Sequence, residues 1–115
     1  MDFNKGRLVA INATIFDSVK LSNEEYIKEM FVSISKILKT EEEINYVCFY
    51  SEKNPFFQFE CLSSFIIFKS APARNRFRLI VDYCGEFNAV DILRCLREFF
   101  NIKSYSIQDY PYLRI

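Results

Sequence analysis

The sequence predicts a two-layer α+β sandwich in the order β-α-β-β-β-α-β, with a mostly antiparallel sheet and two helices on one face. Three observations carry that expectation. Two segments repeat apolar residues at helical spacing on one side only, so each must bury a stripe. Five others read as extended, by alternation or by β-branched and aromatic enrichment. Right-handed crossovers then bring both helices to the same side of the sheet and leave its other face open.

The first strand spans Arg7 to Phe16. Val9, Ile11, Ala13 and Ile15 fall on one face, with Asn12 and Thr14 on the other. Asp17 to Leu21 is a short connection. Ser22-Asn23-Glu24-Glu25 has the form of a capping box, with Ser22 as N-cap and Glu25 reaching back to it. Tyr26, Ile27, Met30, Phe31, Ile34, Ile37 and Leu38 form the apolar arc of the first helix, opposite Glu25, Lys28, Glu29, Lys36 and Lys39. Val32 alone interrupts the polar arc. The acidic run Thr40 to Glu43 follows as a solvated loop.

Ile44 to Ser51 is the second strand, and the turn Glu52-Lys53-Asn54-Pro55 joins it to the third as a hairpin. The third strand starts at Phe56, with Ser63-Ser64 marking a bulge or break. Its run Phe65-Ile66-Ile67-Phe68 has the pattern of a strand buried on both faces. Arg76 to Cys84 is the fourth strand. Gly85 breaks the chain, Asn88 caps the second helix, and Ala89, Ile92, Leu93, Leu96, Phe99 and Phe100 make its buried stripe. Asn101 ends that helix in a left-handed conformation. Ile102 to Ile107 is the last strand, after which the apolar tail through Tyr110 and Tyr112 packs on the body or on a partner.

A length of 115 residues suits one globular domain, residues 1–115, and the apolar half of the chain is enough for a core. Lys plus Arg balances Asp plus Glu at 15 each, so only a local patch can attract nucleic acid, and neutrality favours self-association. No apolar stretch approaches the ~20 residues that cross a bilayer, and the N-terminus has no signal-peptide pattern. A cytoplasmic protein without membrane contact is expected. The four cysteines, Cys48, Cys61, Cys84 and Cys95, show no metal-ligand spacing and sit in apolar segments, as reduced buried thiols do. The expectation is no metal and no cofactor.

Histidine is absent, which removes Ser-His and Cys-His nucleophile pairs. The two glycines stand outside any phosphate-loop pattern. Glu60 and Asp82 are isolated carboxylates in apolar stretches and weak candidates for acid-base work. The sequence therefore points away from an enzyme. Its strongest signal is Arg74-Asn75-Arg76-Phe77-Arg78, where alternation puts three arginines in one row ~6.5–7 Å apart. Such a row suits an acidic protein patch, and also the phosphates of RNA or DNA. With Phe56, Phe57, Tyr110 and Tyr112 as neighbouring aromatics, the expected function is a non-enzymatic protein-protein interaction module: an adaptor, a regulatory subunit or a small inhibitor. The alternative is an RNA- or DNA-binding subunit using the arginine-lined face.

Overall fold

The computed structural model describes residues 5–39, 45–49, 55–61 and 64–113. Alternation in the first strand is realised as read. In β1 (Lys5–Ile15) the residues Val9, Ile11, Ala13 and Ile15 are buried, while Asn12 and Thr14 face the other way. A 3-10 turn at Val19–Ser22 follows where a plain connection was expected, and its Leu21 is buried. The helix α1 spans Glu24–Ile37. Its N-cap is Asn23, not Ser22: the Asn23 side chain accepts a hydrogen bond from the Tyr26 N–H at 3.1 Å. Ser22 is used up in the preceding turn, so the capping box shifts by one residue. Replacing Asn23 with Ala should cost about 1 kcal/mol, and Ser22→Ala distinctly less. Urea denaturation of the two variants checks this, and equal losses would restore Ser22 as the cap.

The strands β2 (Asn45–Phe49), β3 (Phe56–Cys61), β4 (Ser64–Ala71) and β5 (Arg76–Tyr83) form an antiparallel meander. The hairpin between β2 and β3 was expected. The long third strand was not realised as one piece: Cys61 pairs with Ser64, so the chain doubles back and β3 and β4 lie side by side. Burial in β4 alternates, with Ile66 and Phe68 in the core and Phe65 and Ile67 half-buried. The acidic run at 40–43 and the turn at 52–54 lie outside the described residues, as do the side chains of Cys48, Cys61 and Glu60.

Helix α2 (Ala89–Phe99) is capped as read, with the Asn88 side chain accepting from the Val90 N–H at 3.0 Å. It ends differently. Phe100 is extended at φ −134°, and the left-handed non-glycine residues described are Lys39 and Asn75. The last strand, β6 (Ile102–Leu113), is longer than expected because the tail continues it, pairing with β1 up to Lys5↔Leu113. Pro111 is tolerated because β6 is an edge strand. The sheet order is β2-β3-β4-β5-β1-β6.

Both helices lie over one face of this sheet, which confirms the two-layer α+β architecture. Tyr26 of α1 packs edge-on against Phe99 and Phe100 at 5.3 and 5.8 Å and donates its hydroxyl to the Phe99 carbonyl. Phe57, Phe68, Phe77 and Phe100 make an aromatic cluster at the centre of the layer. Cys95 is buried on α2, where burial and then the charge of Glu98 push its thiol up to about 11. That keeps it protonated and unreactive. Cys84 and Cys95 are free thiols. No described helix is long and apolar enough to cross a membrane.

Candidate functional site

The predicted arginine row is only partly assembled. Arg76 and Arg78 project from β5 on the sheet face away from the helices, both exposed, while Phe77 and Leu79 point into the core. Arg74 is not in the row. It belongs to a 3-10 turn, Pro72–Arg74, which closes at Asn75 in a left-handed conformation, φ 51°. Asn tolerates that geometry, and the turn is held by the Asn75 N–H on the Pro72 carbonyl and by the Ile15 N–H on the Asn75 carbonyl. Extended alternation therefore starts only at Arg76.

Sheet order supplies what the arginine row lacked. β4 flanks β5 on one side and β1 on the other, with β6 beyond β1. Register sets Lys69, Arg78, Asn12 and Ser106 side by side across four strands. The next row holds Ala71, Arg76, Thr14 and Ser104. These two rows line a groove of about 600 Å³, within the size range of small-molecule sites. From these rows, the cations Lys69, Arg76 and Arg78 and the hydroxyls of Thr14, Ser104 and Ser106 face it. No carboxylate lies among its described lining residues.

The groove is partly preorganised. The Arg78 Nε donates to the Asn12 side-chain oxygen at 2.6 Å, which orients the guanidinium along the row. Lys69 stands 5.6 Å above the ring of Phe56. None of the three cations joins a salt bridge among the described residues. Like charges on neighbouring strands are unfavourable, and an anion in the groove relieves that repulsion.

The predicted aromatic contacts disperse. Phe57 is wholly buried in the aromatic cluster and cannot meet a partner. Phe56 is half-buried beneath Lys69 at the edge of the groove. Tyr110 and Tyr112 lie at the opposite end of the open face, beside Leu8 and Gly6. Tyr110 is exposed. Tyr112 donates its hydroxyl to the Asp82 carboxylate, and its ring occupies the space that a Cβ on Gly6 would need. Asp82 is thus a buried, hydrogen-bonded carboxylate away from the cationic groove. Sequence reading missed Lys69, Ser104 and Ser106 altogether. Asn12 and Thr14 were visible only as the polar side of a strand.

No protein-family model matches the chain, and no curated protein matches its sequence. Among solved structures, the chain is similar to the adenosylmethionine decarboxylase from Aquifex aeolicus VF5. The TM-score is 0.74 at 18% identity, over 93% of this chain and 89% of that one. At that identity the likeness is one of fold, and the fold is one that a solved enzyme uses. It overturns the expectation of a non-enzymatic adaptor, regulatory subunit or inhibitor, which rested on the missing catalytic motifs, the arginine row and the neighbouring aromatics.

Proposed function

We propose that this chain binds a small carboxylate-bearing compound in the groove formed by Lys69, Arg76, Arg78, Asn12, Thr14, Ser104 and Ser106. The observation that carries this reading is a groove of small-molecule size lined by three cations and several hydroxyls, with no described carboxylate. Arginine forks match planar carboxylates, and hydroxyls on the next strands complete the donor set. The fold neighbour supports a small-molecule ligand, since its name places adenosylmethionine, itself an amino acid with a carboxylate, as what it acts on. At the groove the chemistry offered is recognition. Thr14, Ser104 and Ser106 have no base beside them among the described lining residues, and the chain has no histidine to act as one. The free thiols Cys84 and Cys95 support a reducing, cytoplasmic setting.

Calorimetric titration with adenosylmethionine, with simple amino acids and dicarboxylates, and with inorganic phosphate tests the reading. At least one carboxylate is expected to bind, more weakly at high salt. Arg76→Ala and Arg78→Ala should each weaken it about tenfold or more, the loss of a charge-assisted hydrogen bond. Binding of phosphate alone would reassign the ligand class. Carboxylate affinity unchanged in the double variant would remove the groove from the function.

A further inference from the structure

We propose that the free edge of β6 pairs antiparallel with β6 of a second copy of this chain, about a twofold axis at Ser106. β6 has β1 on one side and no strand on the other among the described residues. Its outer backbone N–H and C=O groups form a long template, the kind of edge that natural sheets cover or protect. Protection is weak here. Pro111 stands near one end, and the only charges between Ile102 and Pro111 are Lys103 and Asp109. The stretch 103–106 is exposed throughout, as is 108–111.

The strand is complementary to itself in one register. Residues equally far from Ser106 meet across an antiparallel twofold pair. That register sets Lys103 against Asp109 of the second copy, twice over. It also sets Ser104 against Gln108 and Tyr105 against Ile107, with Ser106 meeting Ser106 at the axis. The Lys103 ammonium lies 6.0 Å from the Phe16 ring centre, a contact loose enough to yield to a carboxylate. Lys103 has no paired residue on β1, because the register shifts between Thr14 and Ile15, and it joins no salt bridge among the described residues. Asp109 is already held by Arg7, yet its side chain keeps 36% of its surface open. The centre of the seam is uncharged, and the Tyr105 ring lies 5.4 Å from the Arg97 guanidinium on α2. The chain's zero net charge puts no global repulsion in the way. Ser104 and Ser106 also line the cationic groove, so the pairing brings two grooves together at the axis.

Sedimentation equilibrium of the full chain tests this without any ligand. The expected result is a species of twice the 13.7 kDa chain mass that dissociates on dilution. Ser106→Lys, which places two ammonium groups opposite each other at the axis, should shift the dimer to monomer with circular dichroism unchanged. Ser106→Cys should give a disulfide-linked dimer on mild oxidation, and Ser104→Cys, which faces Gln108, should not. A monomer at all concentrations overturns the proposal and leaves the edge to some other strand. So does a dimer that survives Ser106→Lys, or cross-linking through Ser104→Cys alone.

Discussion

Phe68→Ala is expected to destabilise the protein by about 3–5 kcal/mol, the largest loss from any single truncation proposed for this chain. Phe68 is fully buried on the helix side of β4. Its ring stacks on Phe100 at 5.9 Å with an interplanar angle of 10°, and lies 5.1 Å from Phe77 and 6.4 Å from Phe57. Those partners come from β5, β3 and the end of α2, so one cavity loosens the contact between sheet and helices at its centre. Domains of this kind are stable by only about 5–15 kcal/mol, and the loss is a large part of that. Phe56→Ala provides the contrast. Phe56 is a neighbouring aromatic on the opposite face, half-buried beneath Lys69, and its loss should be well below that of Phe68. Equal losses in urea denaturation would refute the placement of the core on one face of the sheet.

The same alternation that buries Phe68 explains what was legible beforehand. Val9, Ile11, Ala13 and Ile15 read as a core-facing row because a strand has period two, and the structure keeps them buried. Asn88 read as a cap because a polar side chain preceded an amphipathic run, and it caps. Failures fall where a local signal was missing or had two owners. The reversal between Cys61 and Ser64 contains no Gly or Pro, so β3 and β4 looked like one strand. Ser22 and Asn23 are both good caps, and the 3-10 turn took the first. The last strand was read as ending at Ile107, yet it runs on to Leu113, because an edge strand can carry Pro111.

The candidate site was legible only within β5. Arg76 and Arg78 follow from alternation alone. Lys69 joins them because β4 pairs with β5, and Asn12, Thr14, Ser104 and Ser106 because β1 inserts between β5 and β6, neighbour relations that no single strand's periodicity encodes. Arg74 was lost for the opposite reason: the 3-10 turn Pro72–Arg74, closed by left-handed Asn75, overrides the extended spacing. The function followed the site. An arginine row on an isolated strand resembles a protein or phosphate contact, whereas the same cations beside hydroxyls in a groove of about 600 Å³ support the proposed small-carboxylate ligand.

Arg7→Met is expected to cost about 2 kcal/mol at neutral pH, and less in acid. Arg7 links three segments. Its Nε and one terminal nitrogen contact the Asp109 carboxylate of β6 at 2.8 and 2.5 Å, and the other nitrogen donates to the Phe87 carbonyl before α2. Its guanidinium also lies 4.4 Å from the Phe87 ring centre. The hydrogen bonds from Arg7 hold the Asp109 carboxyl below its ordinary value, with burial opposing them in part. A carboxylate depressed in the folded state adds stability that is complete above the ordinary carboxyl range. That stability is lost as pH falls through the range toward the depressed value. Asp109 is about one third exposed, so solvent screens the pair and its share is about 1 kcal/mol or less. The Phe87 contacts supply the rest and do not titrate. The gap between Arg7→Met and the unaltered chain, measured by urea unfolding, should therefore narrow between pH 7 and pH 3 without closing. A gap that stays constant would assign the whole effect to Phe87, and one that closes would assign it to the ion pair.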